Sequence, residues 1–366
     1  MKTFCRSVYS PDSVSQKRRA SSGPWFGVVV LALLMVLPWP GQAAEKILHL
    51  FIWDDYLDPD LVEQFEKAHD CTVEIEVFDS NESLHAKFTT GSTGYDVIVP
   101  TAYMVTILNR EGYLAPLDHA KLPNLSHMDK VICDELSNDK EFKVSVPYMA
   151  APTCIGYSSK VVKDLQPSWS AFDRTDLKGR MTLLDDPRET IGAALKLLGF
   201  SANTTDEAQL NAAGDVVIRW KKNIAKFDND QYNSGIASGE FVLCHGYSGD
   251  LYQAQEENKN ISIVVPKEGT LVSLDFLCIP KAAPSPDLAH SFINFLCEPA
   301  VAAKNAEFNR YLPPNKDAYP LMSDELRSDK IIMMDASIRK NWEVIDDLGA
   351  ATEKYSKVWD RIKAAP

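Results

Sequence analysis

Beyond residue 45 the chain alternates short apolar runs with amphipathic stretches, and this alternation sets the expected elements. Lys46 to Trp53 (KILHLFIW) is apolar over the length of a strand. Asp58 follows as a helix N-cap with Pro59 at the first helical position, and Leu61, Val62, Phe65 and Ala68 recur at helical spacing. Thr72 to Phe78 (TVEIEVF) alternates Val73, Ile75 and Val77 with Glu74 and Glu76, and Tyr95 to Val99 (YDVIV) is a further strand stopped by Pro100. Strand, helix, strand, helix, strand predicts an α/β unit with a parallel core, whose ligand-facing edge is formed by the carboxyl ends of its strands.

The middle of the chain repeats the style. Met181 to Leu184 is apolar, a helix is expected from Pro187 to Leu198, and a long helix should carry Leu210, Val217, Trp220, Ile224 and Phe227. Strands are expected at Phe241 to Cys244, Ile261 to Val265 and Leu274 to Ile279. Two such blocks point to two lobes. No repeat, low-complexity tract or flexible linker separates them, so the chain is expected to cross between lobes within ordered strands, a geometry suited to hinge closure.

The one long apolar run, Phe26 to Leu37 (FGVVVLALLMVL), is short for a membrane span and is followed by Pro38, Pro40 and Gly41. With Lys17-Arg18-Arg19 before it and Gly41-Gln42-Ala43 after it, the segment 1–43 reads as a secretory signal peptide, the alternative being an uncleaved anchor. Charge follows the same division. Lys2, Arg6, Lys17, Arg18 and Arg19 face Asp12 alone in that segment, whereas the whole 366-residue chain carries 38 Lys and Arg against 51 Asp and Glu, a net of −13. A surface this acidic repels nucleic acid and anionic lipid and favours cationic partners. Six cysteines remain beyond the leader, at 71, 133, 154, 244, 278 and 297; their wide spacing and apolar settings lead us to expect one bridge at most.

Enzyme signatures are absent. There is no phosphate-binding loop, no dinucleotide fingerprint and no His-Glu-x-x-His, and the seven histidines are scattered, so neither cofactor nor metal is expected. Gly246-Tyr247-Ser248-Gly249-Asp250 comes nearest to a nucleophile elbow, but its second glycine falls one position early.

What recurs instead is acids and aromatics at the ends of apolar strands: Trp53, Asp55 and Tyr56; Tyr103; Asp186 and Glu189; Tyr247 and Asp250; Asp275; Tyr311. Several have simpler explanations. Asp186-Pro187-Arg188-Glu189 has the spacing of a capping box, a role compatible with a cleft role if Glu189 turns inward. Trp53 could equally be core packing. Asp275 lies inside LVSLDFLCIP, where an unpaired carboxylate is costly, and something cationic should meet it.

The stretches Leu50 to Phe65 (LFIWDDYLDPDLVEQF), Tyr95 to Tyr103 (YDVIVPTAY), Leu183 to Asp206 (LLDDPRETIGAALKLLGFSANTTD), Val265 to Gly269 (VPKEG) and Phe292 to Pro299 (FINFLCEP) resemble the spermidine/putrescine-binding proteins of bacterial ABC importers. The resemblance covers essentially all of the chain beyond the leader. It implies a type II periplasmic binding fold, two α/β lobes joined by crossover strands around one extended polyamine. The lobes are expected at 44–148 with 277–325 and at 149–276 with 326–366.

Position by position, the resemblance implies an aromatic wall at Trp53 and Tyr56, a strand end at Thr101 and Tyr103, an acidic pair at Asp186 and Glu189, Tyr247 followed by Asp250, a strand carboxylate at Asp275 and a late aromatic at Tyr311; Asp55 joins them as a further acid. Where the family often has Trp or Phe two residues before the strand carboxylate, this chain has Ser273, and where one branch has Trp it has Tyr247. The implied role is that of a periplasmic, monomeric solute-binding protein, not an enzyme, serving an inner-membrane ABC permease. The acids favour spermidine over putrescine. The alternatives are another cationic or amino-acid-like ligand on the same fold, or a secreted enzyme.

Overall fold

The structure is a computed structural model that describes residues 46–91 and 94–366. The expected leader at 1–43 lies outside the described residues. Three parallel strands open the fold: β1 (Ile47–Trp53) pairs on one side with β2 (Thr72–Phe78) and on the other with β3 (Val97–Ile98). The helix Pro59–His69 between β1 and β2 starts where the sequence places it, with the Asp58 side chain accepting from Asp60 N and Leu61 and Phe65 buried. Of the alternating apolar row Val73, Ile75 and Val77 on β2, only Val73 is buried. Ile75 and Val77, midway along the terminal strand of the sheet, are 45% and 51% exposed, while Val73 and Phe78 near its two ends are buried.

The longest strand has no counterpart in the sequence reading. β4 (Ser145–Ser158) runs through 14 residues, its first 12 buried, and changes partners midway. A second parallel group follows, with β5 (Met181–Leu183) between β6 (Lys226–Phe227) and β7 (Leu243–Tyr247). The helix Glu207–Lys221 that leads to β6 stops short of Ile224 and Phe227, contrary to expectation. Asn223 ends it, donating from its side chain to Phe172 O and accepting at its carbonyl from Gly179 N, so the chain turns into the strand that carries Phe227.

β8 (Ile261–Val264) lies antiparallel to the second half of β4. β9 (Leu271–Cys278) lies antiparallel to its first half, Ser145 to Pro152, and short β10 (Glu343–Val344) pairs with β9. From Thr153 onward β4 pairs with β7 instead. The strand order is therefore β2-β1-β3-β9-β4-β7-β5-β6, two parallel groups linked by the antiparallel pair β4 and β9. Pro147 sits at the register irregularity of β4 and Pro152 where its partner changes, the positions at which a missing N–H costs least. The core of the first group gathers Leu48, Leu50, Phe65 and Phe292; that of the second gathers Trp169, Trp220, Val217 and Tyr355. All six described cysteines are unpaired. No described helix is long and apolar enough to cross a membrane.

Candidate functional site

Parallel strands expose unpaired peptide groups and open loops at their carboxyl ends, and six such ends meet here around one cleft. β1 contributes Trp53, Asp54, Asp55 and Tyr56; β2 contributes Phe78 and Asp79; Thr101 follows β3. From the other group come Asp186 after β5, Asn229 and Asp230 after β6, and Tyr247 and Asp250 after β7. β4 and β9 pass beneath and present Ala151, Ser273 and Asp275 from their middles, and Tyr311 closes the wall.

Of the residues expected from sequence, Trp53, Asp55, Tyr56, Thr101, Asp186, Tyr247, Asp250, Asp275 and Tyr311 line this cleft. Tyr103 and Glu189 stand behind it. Tyr103 is buried on the helix Ala102–Arg110, its hydroxyl a long 3.5 Å from Glu82 Oε1. Glu189 is 1% exposed; it accepts from Thr153 Oγ1 at 3.0 Å and lies 3.4 Å from Ser273 Oγ.

Asp275 is buried without a cationic partner among the described residues. Two hydroxyls meet it instead: Tyr56 donates to Oδ2 at 2.7 Å and Thr101 to Oδ1 at 2.6 Å. The expected cation is thus not supplied by the described chain. Burial pushes the carboxyl up to about 6, against the two donors, which pull it down. Burial and the Asp186 charge push Glu189 up to about 8.

Asp250 is held in the same style. Tyr311 donates to Oδ1 at 2.6 Å and Tyr232 donates to Oδ2; the Tyr232 oxygen in turn accepts from Tyr247 N at 3.0 Å. Burial raises Asp250 while both hydroxyls lower it. This explains the Gly246-Tyr247-Ser248-Gly249 run. A Cβ on Gly246 would meet the Tyr232 ring at 2.2 Å, and one on Gly249 would meet the Tyr311 ring at 2.2 Å. The glycines are gaps that admit the two clamping rings, rather than parts of a nucleophile turn.

Asp186 caps the helix Pro187–Leu197, accepting from Arg188 N at 2.7 Å and Glu189 N at 3.0 Å. The capping box stays half made, because the Glu189 side chain turns to Thr153. Burial raises Asp186, and those backbone donors lower it. Asp55, which adopts a left-handed backbone at φ 49°, is raised by burial and by Asp54. Asp230 is raised by burial, then by Asp79, Asp228 and Asp54.

Asp79, Asp230 and Tyr232 were missed in the sequence. Asp79 follows β2, so the strand-end rule applied to every expected strand would have found it; Asp230 follows β6, which the sequence reading placed in a helix. Tyr232 carries no such signal. Of the seven carboxylates lining the cleft, none pairs with a lysine, arginine or histidine among the described residues. The described residues contain no cluster of metal-ligating side chains. Chemically the cleft offers hydrogen-bonded carboxylates spaced between aromatic faces.

A family model for the bacterial extracellular solute-binding proteins matches residues 60–334. The chain belongs to that family. Among its curated relatives, the putrescine/cadaverine-binding protein of Pseudomonas aeruginosa is 33% identical over 350 residues, covering 92% of this chain and 98% of the relative. The spermidine/putrescine-binding periplasmic protein of Escherichia coli is 34% identical over 322 residues, 87% of this chain and 92% of the relative. A solved structure described as a putative spermidine/putrescine ABC transporter from Listeria monocytogenes superposes with a TM-score of 0.83 at 34% identity, covering 88% of this chain and 100% of that one. The resemblance read from the sequence is borne out, as is the two-lobed α/β class of periplasmic binding proteins. These relatives are solute-binding proteins of ABC transporters, not enzymes.

Proposed function

We propose that this solute-binding protein captures a polyamine, the triamine spermidine in preference to the diamine putrescine, and delivers it from the periplasm to an inner-membrane ABC permease. It does so as a monomer, exported by its leader, with no nucleic-acid partner. The observation that carries this reading is the treatment of Asp250 and Asp275: each carboxylate is fixed by two hydroxyl donors and has no cationic partner among the described residues.

A polyamine is a row of ammonium groups separated by methylenes, and recognition requires carboxylates at intervals with apolar faces between them. Asp275 and Asp250 hold one terminal amine, and Asp186, backed by the buried Glu189 and helped by Asp55, holds the middle or far one. Trp53, Tyr56, Tyr247 and Tyr311 cover the methylenes, each cation–π contact worth roughly 0.5–2 kcal/mol. Without ligand the acids repel across the cleft, and a cation relieves the repulsion and shifts the lobes toward closure about β4 and β9. A second reading, another cationic or amino-acid-like ligand, is favoured by Ser273, whose small hydroxyl leaves room on the cleft floor.

Calorimetric titration of the refolded, ligand-stripped protein with putrescine, spermidine, spermine, arginine and glutamate decides between them. One-to-one binding, tightest for spermidine, supports the first reading. Binding of arginine or glutamate without any polyamine overturns it in favour of the second.

A further inference from the structure

One buried amide ties together the two tyrosines that reach Asp275 and Asp250. Asn309 ends the helix Pro299–Asn309, is fully buried and lines no part of the cleft. Its Nδ2 donates to the Tyr56 carbonyl at 3.1 Å, and its Oδ1 accepts from Tyr311 N at 3.0 Å. Its own carbonyl accepts from Gln253 Nε2 at 3.3 Å, on the helix Ser248–Glu257 that carries Asp250. Arg310 takes a left-handed backbone, φ 62°, which returns Tyr311 toward the Asn309 side chain. The two rings then meet edge to face, 5.1 Å between centroids, and their hydroxyls turn to different carboxylates.

Other groups touch one side of this arrangement. Tyr148 and Asn305 also donate to the Tyr56 carbonyl, at 3.1 and 3.3 Å, and Asn305 accepts from Asp58 N, so they fix the turn after β1 against β4. Asn309 joins Tyr56 to Tyr311. A primary amide combines the required donor and acceptor in one planar group.

We propose that Asn309 is a positioning residue for ligand recognition: its amide sets Tyr56 and Tyr311 relative to each other and thereby fixes the spacing of Asp275 and Asp250. For its ligand this inference rests on the polyamine reading; for the geometry of the cleft itself it does not. A carboxylate pair displaced by a fraction of an ångström forfeits hydrogen bonds that depend steeply on distance and angle. A residue that only supports the fold would instead change stability and leave the carboxylates as they are.

The test uses the full mature protein with Asn309→Ala, Tyr56→Phe and their combination, Asn309→Ala in a background carrying both Tyr56→Phe and Tyr311→Phe, and Leu326→Ala as a control. Leu326 is buried in a separate apolar cluster with Ala302 and Ala306 and makes no side-chain hydrogen bond to Tyr56, Tyr311 or Asn309. The first readout is the titration of the Asp275 carboxyl in the ligand-free protein, followed by carbon NMR. Tyr56→Phe moves the midpoint upward, since a donor to the ionised form is lost. Asn309→Ala moves it in the same direction, the combination goes no further than Tyr56→Phe, and Leu326→Ala leaves it in place.

The second readout is spermidine affinity. Asn309→Ala weakens binding about tenfold at most in the parent and less than about twofold once Tyr56 and Tyr311 are both Phe, as expected for groups acting through shared partners. An unmoved Asp275 titration in Asn309→Ala, or an equal loss of affinity in both backgrounds, overturns the proposal. If Asn309→Ala does not fold, Asn309→Ser replaces it with the same readouts. If the parent binds no polyamine, the ligand reading fails and the titration alone judges Asn309.

Discussion

Tyr56 and Asp275 lie 219 positions apart in the chain, and the hydroxyl of the first donates to the carboxylate of the second across 2.7 Å. The contact joins the turn after β1 to the middle of β9, so an acid that would be intolerable in an apolar strand is held ionisable at the cleft floor. Replacing it separates ligand recognition from folding. Asp275→Asn should weaken spermidine binding about 10- to 100-fold, the range for one charge-assisted hydrogen bond, without lowering the ligand-free melting temperature at pH 8. Calorimetry and thermal melts check both halves. A lower melting temperature with intact affinity would make Asp275 a structural residue only.

The pH dependence follows from the buried acids. Asp275 is raised from 3.8 to about 6 and Glu189 from 4.5 to about 8, so the folded protein holds these protons where the unfolded chain has released them. Their contribution to stability is complete below about pH 4 and is lost as pH rises through 6 and 8. A bound cation removes that loss. The melting-temperature gain on adding saturating spermidine should therefore grow from pH 5 to pH 8, as read by scanning fluorimetry; a gain that shrinks over that interval contradicts the assignment.

His245 acts in the opposite sense. It is fully buried on β7, edge-on to Trp169 at 4.8 Å, with neither ring nitrogen bonded among the described residues, and burial lowers it from 6.5 to about 3. The unfolded chain takes up its proton first, so this stability is present above about pH 6.5 and lost as pH falls toward 3. His245→Leu should flatten the acid limb of the stability profile relative to the parent between pH 6 and pH 4. Denaturant unfolding at each pH measures it, and parallel acid limbs in the two proteins would exclude His245 as the cause.

Gly249 offers a steric test of the Asp250 clamp. A Cβ there would meet Tyr311 Cε2 at 2.2 Å and Cδ2 at 2.5 Å, both ring atoms that cannot bend away singly. Gly249→Ala should displace the ring, break the Tyr311–Asp250 bond and cost about 1–3 kcal/mol of stability. Spermidine affinity should fall with it, while Gly199→Ala, with open space around its Cβ, costs only the strain of its positive φ and leaves affinity unchanged. Equal affinity losses in the two variants would remove Tyr311 from the clamp.

Local rules carried the reading where local physics decides. Asp58 with Pro59 and Asp186 with Pro187 cap their helices as their spacing requires, since a cap is made within four residues. β4 escaped because 12 consecutive buried positions carry no alternation and because Pro147 and Pro152 argue against a strand unless its register breaks and its partner changes there. Ile75 and Val77 misled for the reverse reason: alternation marks a strand but not whether a neighbour covers it. The clamp residue Tyr232, 18 positions from Asp250, looked like any core tyrosine.

The sequence by itself determined the materials of this protein: acids and aromatics at the carboxyl ends of apolar strands, helices capped at fixed positions, and the family to which these motifs belong. The tertiary structure decided which acids face the cleft, which stand behind it, and that Asp250 and Asp275 are each held by two hydroxyls. Side-chain alternation and capping depend on residues a few positions apart, whereas the charge state and aim of a carboxylate depend on burial and on partners brought from 18 to 219 positions away.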